Sequence, residues 1–161
     1  MLFLLMLVFF TSCSQKTPWA VTHIKGNGPE FNSAKLTYHS NDKANGIDLE
    51  FLKTEDSLNL YLNVHSRPIP CSRNHPNMAQ VTLQIEDKQY SFSAIRHQGG
   101  HRLLVPASIQ EIIINSLKDA IPIAIHLEGY DATFDPAYFS EYFYKMHYPP
   151  RFSSHLNLSL L

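Results

Sequence analysis

Apolar and polar side chains alternate along most of this chain. The cleanest run is Leu58, Leu60, Leu62 and Val64, interleaved with Asn59, Tyr61, Asn63 and His65. A period of two predicts a strand with one buried face. Ile47, Leu49 and Phe51 alternate in the same way with Asp48, Glu50 and Leu52, and the polar stretch 53–57 separates the two runs, so the pair reads as an antiparallel hairpin. Val81, Leu83 and Ile85, then Tyr90, Phe92 and Ala94 across a tight turn at Asp87-Lys88, predict a second hairpin. Shorter strands are expected at Trp19–Ile24, around Leu36 and Tyr38, at Arg102–Val105, at Ile121–Leu127 and at Tyr130–Phe134.

The period changes twice. After Pro106, the residues Ile109, Ile112, Ile113 and Leu117 recur at helical spacing, and Ser108 with Glu111 has the form of a capping box. The spacing predicts a helix over 107–118, with Lys118 suited to its last turn. Residues 136–147 predict a second helix, begun by Pro136 after Asp135 and carrying Phe139, Tyr142, Phe143 and Met146 on one face. Residues 66–77 hold Pro68, Pro70 and Pro76 without periodicity and read as a loop. Short alternating segments with Pro and Gly punctuation and two short helices predict a mainly β fold, an antiparallel β-sandwich or barrel.

Length and charge narrow the function. A chain of 161 residues fits one domain. Thirteen basic and fourteen acidic residues give a net charge of −1, which offers no electrostatic basis for nucleic-acid binding. Two cysteines are too few for a disulfide scaffold.

The first ten residues are all apolar, a run too short to cross a bilayer as a helix, where roughly 20 are needed, but matched to the apolar segment of a secretory signal. Phe10-Thr11-Ser12-Cys13 closes that run and resembles the lipobox of bacterial lipoprotein precursors. Thr11 and Ser12 are the small residues the signal peptidase needs. In that family the thiol at the Cys13 position is the nucleophile that takes the lipid. No Lys or Arg precedes the run, and Phe10 stands where the family prefers Leu. The resemblance implies a signal peptide at 1–12, a diacylglycerated Cys13, and a chain held to the membrane of the cell envelope by its lipid. Ser14, where the Gram-negative family has Asp for inner-membrane retention, implies export to the outer membrane in such an organism. A tether over 13–33, a β-rich domain over 34–148 and a tail or last strand over 149–161, alternating at Leu156, Leu158 and Leu160, complete the expected organisation.

Nine histidines stand out in the composition. His97 and His101 flank Gly99-Gly100, and His65, Cys71 and His75 lie in or beside the Pro-rich loop. Imidazole and thiolate suit zinc or copper, and convergence of the two loops would give up to five ligands. The opposing reading is a set of unrelated surface histidines, since the tight spacings of structural zinc sites are missing. Cys71 with His75, or with a remote histidine, is also a candidate nucleophile pair of a small thiol hydrolase, although no flanking signature supports it. The segment 138–148 packs as an amphipathic lid on the sheet or offers Tyr138, Tyr142, Tyr144 and Tyr148 to an envelope protein or a glycan. These features together lead to the expectation of a lipid-anchored envelope protein with a non-enzymatic binding or structural role. A metal-binding lipoprotein is the alternative.

Overall fold

The computed structural model describes residues 17–28, 32–72 and 75–149. Cys13, the apolar run before it and the alternating leucines at 156–160 lie outside the described residues.

Alternation becomes strand wherever a turn lets the next run return. The strands are β1 (Trp19–Ile24), β2 (Ser33–Tyr38), β3 (Ile47–Lys53), β4 (Leu58–Val64), β5 (Met78–Ile85), β6 (Lys88–Arg96), β7 (Arg102–Leu104), β8 (Ile123–Leu127) and β9 (Tyr130–Phe134). They form a single sheet in the order β1-β2-β3-β4-β7-β6-β5-β8-β9, with every neighbouring pair antiparallel. The expected mainly β, antiparallel, sandwich-like architecture is therefore present. Both hairpins form. The first pairs Leu49 with Leu62 and Phe51 with Leu60, and the second pairs Val81 with Phe92. In the second hairpin the turn residues are Glu86 and Asp87, one position earlier than expected, and Glu86 takes the left-handed φ of 50° that a two-residue turn asks for.

One face of the sheet is continuously apolar. Leu36, Leu49, Phe51, Leu60, Leu62, Leu83, Leu103 and Ile125 are wholly inaccessible to solvent. A single sheet buries that face by folding over on itself. Tyr38 of β2 meets Phe134 of β9 with ring centroids 5.2 Å apart, and the Trp19 indole donates to the Asp135 carbonyl at 3.3 Å. Tyr130 ties the far end down, its hydroxyl accepting from Arg67 N and donating to Arg67 O, both at 2.6 Å.

Helix α1 (Ala107–Lys118) has the expected limits and buries Ile113 and Leu117. Its capping box does not form. Pro106 occupies the N-cap, which leaves Ser108 inside the first turn with no side-chain capping bond. Helix α2 (Phe139–His147) starts three residues later than expected. Asp135 accepts from Ala137 N at 2.8 Å and Phe139 N donates to Pro136 O, so the Asp-Pro step builds a turn of its own. Tyr138 then takes a left-handed φ of 66°, which separates that turn from the helix. Likewise β8 starts at Ile123 rather than Ile121, after Pro122, which has no N–H to give a ladder. α2 lies on β1 and β2, burying Phe139 and Met146 and half-burying Tyr142 and Phe143. Phe139 sits 5.0 Å from the Trp19 ring and 5.6 Å from that of Phe51.

The outer face is mostly polar, apart from exposed Ile24 and Ile95, and among the described residues Glu50 is its one buried carboxylate. Glu50 is 7% exposed, accepts from Arg102 Nη2 at 2.7 Å and has Lys35 Nζ at 3.7 Å and Asn63 Nδ2 at 3.5 Å. The Arg102 guanidinium lies 3.7 Å above the Tyr61 ring. The long side chains of Lys35 and Arg102 thus roof the carboxylate.

Candidate functional site

The two histidine-bearing loops do meet, through their backbones. Ile69 N donates to Gly100 O at 2.8 Å, Val64 N to His101 O at 2.9 Å, and Arg96 Nε to Ile69 O at 2.7 Å. Gly100 permits this approach. Its φ is 74°, and a Cβ there would run into the Arg96 guanidinium.

The side chains from those loops go to different places. His65 places Nε2 3.0 Å from Asp48 Oδ1 and Nδ1 3.1 Å from the Asp42 carbonyl. Both partners are acceptors, and a neutral ring has one N–H to give, so only the imidazolium donates to both. His97 packs edge-on against Tyr61, ring centroids 5.7 Å apart. His101 turns Nδ1 back to the Val64 carbonyl at 3.4 Å. Cys71 is an exposed free thiol, and His75 is exposed beside the isolated bridge to Ser72. Among the described residues no group of three or more His, Cys, Asp or Glu could hold a metal ion.

Two clusters that the spacing of residues did not reveal appear instead. The first centres on Asp48, which accepts from Ser40 N at 2.8 Å and His65, and lies 3.2 Å from His39 Nδ1. Asp42 organises the adjacent loop. The Asn45 and Ala44 N–H groups, helped by the nearby charge of His65, hold its carboxyl below the usual range. Ser66 Oγ donates to Ala44 O and closes this loop against the end of β4. The second cluster involves Cys71. A surface hollow of about 560 Å³ is lined by Cys71 with Ser72, Gln80, Thr82 and His126. His126 Nδ1 is held at 2.6 Å by Asp131, directly opposite across the β8–β9 ladder. Asp131 thereby commits one ring nitrogen and leaves Nε2 for another partner.

The tyrosines of 138–148 divide by face. Tyr144 and Tyr148 are each 63% exposed and Tyr138 is 46% exposed, whereas Tyr142 is half-buried against the core. Tyr144 and Tyr148 stack with centroids 4.6 Å apart. Behind them the Phe143 ring carries His147 on one side, centroids 4.6 Å apart, and has Lys118 Nζ at 4.8 Å. A hollow of about 550 Å³ opens there, between the end of α1 and the outer side of α2. On α2, Lys145 donates to Glu141 at 2.6 Å, which holds the ammonium above its ordinary range. Among the described residues no helix is long and apolar enough to cross a membrane.

Compared with the known protein families, the curated proteins and the solved structures, the chain matches none.

Proposed function

We propose that the chain is a lipid-anchored bacterial envelope protein with a non-enzymatic binding or structural role, acting through the tyrosine ridge of α2. The observation that carries the binding role is that ridge. It is formed by Tyr144 and Tyr148, each 63% exposed and stacked with centroids 4.6 Å apart, while Tyr138 stands exposed at the opposite end of the helix. Tyrosine is suited to a contact that is apolar on one side and wet on the other. The anchor rests on Phe10-Thr11-Ser12-Cys13 at the end of the apolar run. Two or three acyl chains, at about 0.8 kcal/mol per buried CH₂, hold a domain firmly. Ser14 after the cysteine favours the outer membrane where the cell has one. The test is Cys13→Ala, followed by metabolic lipid labelling and cell fractionation. Label should disappear and the domain should leave the membrane fraction; retention unchanged from the native chain rejects the anchor.

The hollow shared by Cys71 and His126 favours a second reading, a thiol nucleophile with His126 as its base and Asp131 as the group that orients the base. It predicts that His126→Ala slows alkylation of Cys71 by iodoacetamide at neutral pH and that Asp131→Asn slows it less. Equal rates in all three chains reject it.

A further inference from the structure

We infer that the α2 ridge seats on the phospholipid headgroups of the membrane that holds the anchor, so that the domain lies on the bilayer rather than hanging free above it. The inference rests on the lipid-anchor reading and names what the ridge touches.

Chain length makes the first argument. Six residues lead from Cys13 to Trp19, a span of at most about 20 Å. Trp19 is not a loose joint. Its ring is packed against Tyr38 and Phe139, its indole N–H is bound to Asp135, and Pro18 O accepts from His39 N. The lipid is therefore tied, through a short link, to a rigid point beside the first residue of α2. The helix runs about 14 Å from there. A link of that length lets the whole outer side of α2 reach the surface and keeps it from straying far.

Chemistry makes the second argument. Where the outer side of α2 meets the end of α1, exposed Tyr144 and Tyr148 stand beside the Lys118 ammonium. Tyrosine rings settle at the headgroup level, where the ring meets acyl chains and the hydroxyl meets water. The hollow beside them is lined by Lys118, Ser140, Phe143, Tyr144, His147 and Tyr148. An ammonium on one wall and aromatic rings on the other match a phosphate ester that carries an organic group, which is the chemistry of a phospholipid headgroup.

The test uses the lipidated protein on vesicles of phosphatidylethanolamine and phosphatidylglycerol, with hydroxyl-radical labelling read residue by residue by mass spectrometry. The structure sets the baseline, because Tyr144 and Tyr148 are exposed and Tyr90 is half-buried. An uncovered ridge labels faster than Tyr90. A seated ridge labels severalfold slower, and Lys118→Glu, an exposed change, restores the faster labelling. Fast ridge labelling on vesicles, in protein whose N-terminal mass shows acyl chains on Cys13, overturns the inference and leaves the anchor standing. A Cys13 without lipid removes both. Slow labelling in whole envelopes but fast labelling on pure lipid assigns the ridge to a protein partner and also overturns the inference.

Discussion

Arg102→Met tests how much the outer face contributes to stability. The substitution keeps most of the aliphatic bulk and removes the guanidinium that meets Glu50 at 2.7 Å and covers Tyr61 at 3.7 Å. A hydrogen bond to a charged group contributes about 1.5–3 kcal/mol. An exposed cation–π contact adds about 0.5–1 kcal/mol. Arg102 is itself 37% exposed, so solvent screens part of this, and Lys35 at 3.7 Å remains to neutralise Glu50. The expected loss is about 2 kcal/mol, or a fall in Tm of about 4–8 °C for a chain of this size. Glu50→Leu with Arg102→Met removes both partners at once, so the buried carboxylate is no longer left short of donors. The double variant should therefore lose less than the two single losses combined, with a coupling of about 1–2 kcal/mol. Urea titration followed by the fluorescence of Trp19, the one tryptophan in the chain and 2% exposed, reads all four proteins. Additive losses, within about 0.3–0.5 kcal/mol, would refute the claim that Glu50 and Arg102 act as a pair.

Other substitutions probe the ties at the two ends of the sheet. Tyr130→Phe keeps the ring and leaves Arg67 N and O without their partner, an expected cost of about 1–2 kcal/mol by the same titration; a chain as stable as the native one would mean that the hydroxyl does not hold the 66–70 loop. Asp42 gives a pH dependence of known sign. Its carboxyl is held below the unfolded value of about 3.9, so its contribution is complete above that value and is lost as the pH falls through the lower folded value. Asp42→Asn should therefore flatten the loss of stability below about pH 4 and leave its trend above pH 5 unchanged, as measured by urea midpoints across that range.

What the residue pattern revealed was local. Strands β3 and β4 are one hairpin with a polar turn, and Leu58 to Val64 declare their buried face by alternation alone. The apolar stripe of α1 and its limits were equally plain, but its cap was not, because Pro106 takes the N-cap and leaves Ser108 inside the first turn. Joining of distant strands was hidden, since alternation says which face is buried and nothing about which strand lies alongside. The Asp48 cluster was hidden for the same reason. His39 and His65 come to it from different strand ends, and Asp48 looked like one more polar residue of an alternating run. The pairing of His126 with Asp131 could have been found, because a tight turn at Glu128-Gly129 sets residues five apart opposite each other. The metal-binding alternative asked two loops to meet, and alternation could not say where each histidine would point. Val64 and Ile69 meet His101 and Gly100 through their backbones, while the rings of His65, His97 and His101 contact Asp48, Tyr61 and the Val64 carbonyl.

Strand order divides the sheet into three pieces, each stitched from near neighbours in the chain: β1 to β4, β5 to β7, and β8 with β9. Within the sheet, two strand ladders join them as seams. One is the three-residue contact of β7 with β4, from Tyr61 and Leu104 to Asn63 and Arg102, and the other is the four-residue contact of β5 with β8. Both seams connect residues about forty apart, so their loop-closure entropy must be met before they contribute anything. The pieces should take shape first and the seams zip last. Arg102 would then act late, and its loss would show mainly as faster unfolding rather than slower folding.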